Sequence, residues 1–380
     1  MKTEDFITFV RNEFHTNEFI PLHAPVFIGN EKKYLNDCID STFVSSVGKY
    51  VDQSEKMISE LIGVQKSVAV VNGTAGLQTA LRLVGVKPDD EVITQSLTFV
   101  ATANAIAYNH ATPIFIDVDR DTMGLSPKAV ENFLEYYAEI RDNGCYNKST
   151  NKRISACMPM HTFGFPVHLK ELLDVCDKWQ IPVVEDAAES LGSEYNGQSS
   201  GSFGKIGVFS FNGNKIVTSG GGGMIVSNDI DLAQKAKYLT TTAKVPHPYE
   251  YNHDELGYNF RMPNINAALL CAQLDNLGHY LDKKRELANH YSDFFEKHDV
   301  KFRRELPDTK VNYWLMCIEF PNLKERSSFL ENTNSNGIMT RPIWKLMHRL
   351  PMYEMCYRDE QINAEYLENR IVNIPSSVIM

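Results

Sequence analysis

The chain has 380 residues, enough for one large α/β domain with a smaller one or for two or three domains. Hydrophobic residues make up 43% and charged residues 23% of the chain, which is typical of a soluble globular protein and excludes a mainly disordered or collagen-like chain. The net charge of −10 and the absence of a Lys/Arg-rich run predict no nucleic-acid partner.

The seven cysteines are odd in number and scattered, without CxxC spacing. They therefore predict neither a disulfide framework nor a metal site, and we expect reduced thiols in a cytoplasmic protein. The N-terminal sequence MKTEDFITFVRNEF has acids and an Arg where a signal peptide needs an apolar run, and no stretch of about 18 apolar residues occurs. We expect no secretion and no membrane span.

In chain order, short apolar runs alternate with helical stretches from Ser67 to about Asn228. The runs are 67–71, 91–94, 112–118, 154–160, 181–186, 206–211 and 223–227. This alternation predicts βαβ units and a mainly parallel sheet covered by helices. A helix begins at Ser126-Pro127, where a cap precedes a proline. The polar segment between Tyr137 and Arg153 is predicted to be a surface loop.

The C-terminal part is predicted to start with a helix from about Asn264 to His290. The strand VNYWLMCIEF and the helix ERSSFLENTNS then predict a small α/β domain. We therefore expect a large domain over residues 1–264 and the linking helix with a small domain over 265–380.

Several common catalytic motifs are absent. The segment GNKIVTSGGGG lacks the frame of a P-loop, and no GxGxxG follows the first strand. Neither a GxSxG elbow nor an HExxH helix occurs. Instead, NGTAGL, SLTFVAT, EDAAES, FSFNGNK and TSGGGGM each follow a predicted strand, so we expect them to converge at the carboxyl edge of the sheet, where α/β proteins bind ligands.

Asp186 ends an apolar strand, where a buried carboxylate needs a cation or good donors. Lys215 lies in a glycine-rich turn and is one candidate partner, which would make a structural ion pair. The alternative is that the two residues face opposite ends of pyridoxal 5′-phosphate (PLP), whose aldehyde reacts with a lysine and whose ring nitrogen pairs with an aspartate. Gly73, Thr74 and Ser210 offer donors for its phosphate.

Six motifs in order resemble the DegT/DnrJ/EryC1/StrS family of PLP-dependent nucleotide-sugar aminotransferases. They are NGTAGLQTAL, TFVATANAI, HTFGFPVHL, VVEDAAESLG, GVFSFNGNKIVTSGGGGM and LGYNFRMPNINAAL. The resemblance implies an aspartate aminotransferase-like (type I) α/β fold and a homodimer with active sites at the subunit boundary. It assigns Lys215 as the lysine that binds the cofactor, Asp186 as the partner of the ring nitrogen, and Phe99 as the aromatic residue on the ring.

The resemblance further places Gly73, Thr74 and Ser210 at the phosphate, with Asn259 reaching the same phosphate from the other subunit. Glu189 stands near the cofactor hydroxyl, where many members have Gln. The implied reaction is ping-pong: L-glutamate gives its amino group to the cofactor, and a keto sugar then takes it.

The segments IPLHAPVFIGNEKKYLNDCIDSTFVSSVGKYVDQSE and TRPIWKLMHRLPMYEMC resemble the LegC subgroup, which implies C4 amination of a UDP-linked 4-keto-6-deoxy-N-acetylhexosamine toward legionaminic acid or surface polysaccharide. A GDP- or dTDP-linked keto sugar is the alternative substrate. The expected sugar-nucleotide contacts are stacking and ionic. They involve Tyr50, Arg261, Arg341, Trp344 and His348.

Plainer interpretations stay open for single residues. Phe99 and Trp344 can be core residues, and His161 can be a buried hydrogen-bonded histidine. A dehydratase of the same fold is disfavoured because those enzymes have His in place of Lys215. A non-catalytic PLP-binding regulator is disfavoured because it would bring a basic DNA-binding module, which this chain lacks.

Overall fold

The computed structural model describes all 380 residues and contains sixteen strands and twelve helices. The strands of the N-terminal two thirds are β1 (Lys66–Val70), β2 (Glu91–Gln95), β3 (Thr112–Ile116), β4 (Ala138–Arg141), β5 (Gly144–Asn147), β6 (Arg153–Met158), β7 (Val184–Asp186), β8 (Glu194–Tyr195), β9 (Gln198–Ser199), β10 (Ile206–Ser210) and β11 (Gly223–Ser227). The C-terminal strands are β12 (Lys301–Phe302), β13 (Thr309–Lys310), β14 (Met316–Glu319), β15 (Arg341–Pro342) and β16 (Ile371–Ile374).

The large sheet consists of two joined segments, with strand orders β1-β11-β10-β7 and β3-β2-β6-β5-β4. Parallel bridges between Cys157 and Val183 and between Met160 and Asp186 join them. All seven predicted apolar runs contain a strand, and β2 pairs in parallel with β3 and β6, as β7 does with β10. The strand β11 is antiparallel to both its neighbours, so the sheet is mixed at that position.

The predicted surface loop between Tyr137 and Arg153 is wrong. The strands β4 and β5 form an antiparallel hairpin there, and β5 pairs with the start of β6. Cys145 points into the core and is fully buried, whereas β4 is mostly exposed. A hairpin with one solvated face has a polar sequence, which is why the segment resembled a loop.

Helices cover both faces of the sheet. They are α1 (Thr3–Glu13), α2 (Glu31–Asp40), α3 (Lys49–Ile62), α4 (Gly73–Leu83), α5 (Val100–Tyr108), α6 (Pro127–Tyr137), α7 (Leu169–Lys178), α8 (Ile230–Thr240), α9 (Asn264–Leu274), α10 (Leu277–Lys297), α11 (Leu323–Ser335) and α12 (Ile362–Glu368). Val68 and Val70 pack with α4, α5 and α8, while Ala69 faces the core shared with α3 and α9. The predicted cap at Ser126 is confirmed, because its hydroxyl accepts from the Ala129 N–H.

The predicted helix from Asn264 to His290 is two helices, α9 and α10. The Asn276 side chain donates to the Ala272 carbonyl (3.1 Å), while its backbone N–H donates to Gln273. An asparagine side chain that takes over a helical acceptor ends the α-helical ladder. A new helix, α10, begins directly after this break.

The C-terminal segment forms a separate antiparallel sheet of order β12-β14-β16-β15. The helix α1 joins it from the N-terminus, since Phe6 packs against Phe329 with ring centroids 4.9 Å apart. The division into residues 1–264 and 265–380 stays a prediction. None of the twelve helices combines the length and the apolar character needed to cross a membrane.

Candidate active site

One cavity of about 650 Å³ opens where the carboxyl ends of β7 and β10 meet the amino ends of α4 and α5. The C-terminal sheet closes its other side with residues next to β14, β15 and β16. The predicted residues that line it are Gly73, Thr74, Phe99, Asp186, Glu189, Ser210, Lys215, Arg341 and Trp344. The topology therefore brings together motifs that are far apart in the sequence.

The amino end of α4 forms one end of the cavity. Asn72 caps this helix, because its side chain accepts from the Ala75 N–H at 2.8 Å. Gly73 follows, and a Cβ added there would come within 3.0 Å of the Ser210 Cβ, so only glycine leaves free space at this point. Helix N–H groups beside the Thr74 and Ser210 hydroxyls are donors of the kind that bind phosphates.

Asp186 lies deeper in the cavity at the end of β7 and is 3% exposed. The Thr102 hydroxyl donates to its Oδ2 at 2.7 Å, and the Ala188 N–H donates to its Oδ1 at 3.2 Å. Burial raises the pKa of this carboxyl, although these donors and the charges of Lys215 and His161 oppose the shift. No lysine, arginine or histidine makes an ion pair with Asp186, so the carboxylate has room for a cationic partner from a ligand.

Lys215 forms its ion pair with Glu189 instead. Its Nζ lies 3.2 Å from Glu189 Oε1, and the two side chains are 12% and 3% exposed. Nζ also lies 3.8 Å from the centroid of the Trp314 ring, a cation–π contact. The Trp314 indole N–H donates to the Asn214 carbonyl at 2.7 Å, which holds the ring against the lysine turn. The Asp186–Lys215 ion pair considered from the sequence is therefore not formed.

Glu189 is held on both carboxylate oxygens. The Phe163 N–H donates to Oε2 at 2.9 Å, while Oε1 faces Lys215. Burial raises the pKa of Glu189 to about 7, with Asp186 adding to the shift and Lys215 opposing it. This carboxyl group therefore titrates near neutral pH.

Aromatic side chains form the remaining wall. Phe99 is 50% exposed although it is apolar, because its ring lines the cavity just before α5. Trp344 lies opposite, with its ring centroid 6.3 Å from that of Phe99 and 4.7 Å from that of Phe163. A half-exposed Phe at a cavity wall fits the predicted contact with a flat cofactor ring better than a core role.

Asn259 and Arg261 do not line the cavity of their own chain. Asn259 is exposed, and its side-chain oxygen accepts from the Arg261 guanidinium at 3.1 and 3.2 Å. Their backbone is fixed by bridges from Arg261 to Val70 and from Asn259 to Thr241. The exposed Asn259 can therefore face another molecule, whereas Arg261 is half-buried.

Tyr50 and His348 also lie outside the cavity. The Tyr50 hydroxyl donates to Asp37 Oδ2 at 2.8 Å, and its ring packs on Tyr34 with centroids 5.1 Å apart. His348 is buried, and burial lowers its pKa to about 4, so it is neutral at physiological pH. Neither residue is brought to the site in this chain.

His161 is a buried, hydrogen-bonded histidine, as its structural interpretation from the sequence described. Its Nε2 lies 3.0 Å from Glu185 Oε2, and both side chains are fully buried. Glu185 also accepts hydrogen bonds from the backbone N–H groups of Gly201, Phe203 and Gly204. This network braces the strand end next to Asp186.

Trp314, Lys345 and Asn373 are among the cavity residues that the sequence did not single out. Trp314 lies in the apolar run VNYWLMCIEF, where an aromatic residue looks like core, and it is indeed only 4% exposed. Lys345 directly follows Trp344, a predicted substrate contact, and this position next to a predicted site residue could have indicated it. Asn373 lies in the short strand β16, and nothing in its surroundings marks it.

The model of the DegT/DnrJ/EryC1/StrS aminotransferase family matches residues 27–380. The chain belongs to this family. It is 38% identical over 362 residues to a protein of Bacillus subtilis (strain 168) named as a pyridoxal phosphate-dependent aminotransferase, EpsN, covering 94% of this chain and 90% of that protein. It is 37% identical over 359 residues to GDP-perosamine synthase of Escherichia coli O157:H7, covering 94% and 93%.

A solved structure also confirms the fold. The aminotransferase TlmJ from Streptoalloteichus hindustanus matches with a TM-score of 0.85 and 25% identity, covering 94% of this chain and 93% of that one. The predicted type I α/β fold and the predicted cofactor, pyridoxal 5′-phosphate, are thus confirmed at the level of the family. The family relationship identifies a sugar aminotransferase, and the LegC subgroup is not shown.

Proposed function

We propose that the enzyme transfers an amino group from L-glutamate to C4 of a nucleotide-linked 4-keto sugar. The arrangement of Lys215, Asp186 and the amino end of α4 around one cavity carries this proposal. An amine, a carboxylate and an anion-binding helix end are the groups that suit the aldehyde, ring nitrogen and phosphate of PLP.

Each part of the cofactor has a candidate holder. The N–H groups of Gly73 and Thr74 and the hydroxyl of Ser210 would bind the phosphate, and Phe99 would pack on the ring. Asp186 would face the ring nitrogen and gain there the cationic partner that it lacks in the chain alone. When bound, the cofactor supplies an electron sink for the charge that develops at the reacting carbon.

Lys215 carries the proton transfers. We infer that its Nζ takes the α-proton of glutamate in the first half-reaction and delivers a proton to C4 of the sugar in the second. Trp314 keeps water from one face of Nζ, and Glu189 occupies another. One lysine thus serves both half-reactions at a fixed place in the cavity.

The mouth of the cavity suits a nucleotide diphosphate. Arg341 and Lys345 line it, and neither makes an ion pair with a carboxylate of the chain. Arginine and lysine groups without an acidic partner are suited to bind phosphates, and Trp344 beside them offers a face for a sugar or base.

Two classes of nucleotide-linked keto sugar are candidate substrates. The N- and C-terminal motifs favour a UDP-linked 4-keto-6-deoxy-N-acetylhexosamine whose product enters legionaminic acid or surface polysaccharide synthesis. The similarity to GDP-perosamine synthase favours a GDP-linked keto sugar as the second candidate. Both share the diphosphate and the keto group that this cavity would handle.

We also propose that the active enzyme is a homodimer with shared sites. Asn259 is exposed and outside its own cavity, which suits a role at the phosphate of the partner's cofactor. Phe27, Phe43 and Val47 are each more than half exposed, an apolar surface that a second copy would cover. All seven cysteines are free, which supports the proposed cytoplasmic location.

A two-step assay tests the function. The enzyme is incubated with L-glutamate while the cofactor absorbance is followed, and UDP-, GDP- and dTDP-linked 4-keto sugars are then added separately. We expect conversion of the cofactor to its amino form, then recovery with one sugar class, and an amine at C4 in the NMR spectrum of the product. Conversion without recovery by any keto sugar would exclude a nucleotide-sugar acceptor of these classes. No conversion at all would point to a non-catalytic binder.

A further inference from the structure

The contact between Glu189 and Lys215 places a carboxylate next to the amine that is to act as a base. An ammonium group cannot act as a base, so Lys215 must lose a proton whenever its free amine is to take one from glutamate. The side chain is only 12% exposed, which limits direct exchange with water. A proton acceptor inside the protein would solve this problem.

Glu189 is the only acid in ion-pair contact with Lys215. Its Oε1 lies 3.2 Å from Nζ, whereas the other close neighbour of Nζ, the Trp314 ring, cannot accept a proton. Asp186 makes no ion pair with Lys215, and its oxygens accept from Thr102 and Ala188. The Phe163 N–H fixes the other oxygen of Glu189 and keeps Oε1 directed at the amine.

We propose that Glu189 and Lys215 share one proton, and that Glu189 takes the ammonium proton to leave the amine free as a base. This rests on the proposed role of Lys215 as the lysine that reacts with the cofactor. In the step, one N–H bond of the ammonium breaks and one O–H bond of the carboxyl forms. The pair is neutral before and after, so no charge moves into or out of the buried site.

The buried position of Glu189 favours its protonated form. Burial raises the pKa of Glu189 to about 7, so the carboxyl can hold a proton near neutral pH, which an exposed glutamate cannot. Asp186 adds to this shift through its negative charge. His23, on the segment before α2, also faces the lysine, but burial and the charges of Lys284 and Lys215 lower its pKa and keep it neutral.

The test uses Glu189→Gln, which keeps an oxygen for the Phe163 N–H but cannot take the proton. The rate of the glutamate half-reaction is measured in single turnovers from about pH 5.5 to about 9. We expect an inflection near pH 7 in the parent enzyme that is absent in the variant, and a rate at least about tenfold lower in the variant above that pH. Glu189→Asp keeps a carboxyl group and should restore part of the rate.

A second readout does not depend on catalysis. Infrared difference spectra of the cofactor-free chain between about pH 6 and about pH 8 should show the loss of one buried protonated carboxyl, and this band should be missing in Glu189→Gln. Glu194→Gln is the matched control, since Glu194 pairs with Lys310 at the surface, 3.3 Å away. An unchanged inflection and band in Glu189→Gln would overturn the proposal, while loss of sugar amination in the parent enzyme would instead refute the proposed function.

Discussion

At the scale of single residues, the substitution of Lys215 tests the proposed chemistry most directly. Lys215→Ala should abolish both amino transfer and the adduct that borohydride traps between the chain and the cofactor, because one amine does both jobs. Activity assays and mass spectrometry of the reduced protein measure the two effects. Lys310→Ala, at an exposed ion pair, is the control and should change neither. Amino transfer near the parent rate in Lys215→Ala, without added amine, would refute the assignment.

Asp186→Asn should lower the rate by far more than tenfold, because a neutral amide no longer stabilises a protonated ring nitrogen. A tenfold loss corresponds to a barrier higher by about 1.4 kcal/mol. The kcat for amino transfer is compared with the parent enzyme at saturating cofactor. A smaller loss would show that another group faces the nitrogen.

The same substitution has a predictable effect on the cofactor-free chain. Burial raises the pKa of Asp186 above its value in the unfolded chain. The folded state therefore loses stability as the pH rises from the ordinary aspartate range through the raised pKa, and an amide at this position removes that loss. We expect the difference between the Tm of Asp186→Asn and that of the parent to increase in favour of the variant as the pH rises toward neutrality. Thermal unfolding without cofactor measures both values. An equal pH dependence of both Tm values would contradict it.

Sequence reasoning identified Lys215 and Asp186 because both lie in motifs that follow strands. It did not identify Trp314, since an aromatic residue in an apolar run gives no sign that one face covers a lysine amine. Nor did it pair Glu189 with Lys215, because residues 26 positions apart on two turns meet only through the sheet topology.

At the scale of elements, the amino end of α4 links stability to cofactor binding. Asn72→Ala removes the side-chain cap of this helix, which should cost about 1 kcal/mol of unfolding free energy and also weaken cofactor binding. Urea denaturation and a cofactor titration measure the two effects.

Asn322→Ala supplies the comparison. Asn322 caps α11 in the same way, accepting from the Glu325 N–H at 3.0 Å on an exposed helix away from the cavity. This variant should lose similar stability but bind the cofactor normally. Equal cofactor affinities in the two variants would show that α4 does not hold the phosphate.

Strands buried on both faces were predictable because their sequences are apolar throughout. The hairpin of β4 and β5 was not, since its β4 strand faces water. The direction of β11 was not predictable either, because an apolar run looks the same in either direction. The break between α9 and α10 depends on one asparagine side chain in an otherwise regular helical pattern.

At the scale of the whole molecule, the shared-site model predicts complementation. Asn259→Asp places a carboxylate against the partner's cofactor phosphate and should give a poor homodimer, as should Lys215→Ala. A mixed dimer of the two has one doubly damaged site and one intact site. Random exchange makes half of the dimers mixed, so activity should recover to about a quarter of that of the parent enzyme.

As a control, the two variants carry different tags, and their copurification verifies that subunits have exchanged between dimers. Verified mixed dimers that stay as inactive as their parents would show that Asn259 does not serve the partner's site. Sequence motifs indicated this dimer through family resemblance alone, because the pattern of one chain carries no record of which surfaces meet.

The hairpin of β4 and β5 has a practical consequence. It pairs with the amino end of β6, whereas the cavity opens at the carboxyl ends of the strands. An affinity tag or a tether to a solid support inserted in the exposed turn at Ser149–Thr150, which leads from β5 into the amino end of β6, would therefore sit at the far end of the sheet. An enzyme immobilised by this turn should keep its mouth open to bulky nucleotide sugars, which makes the turn a suitable anchoring point for preparative synthesis.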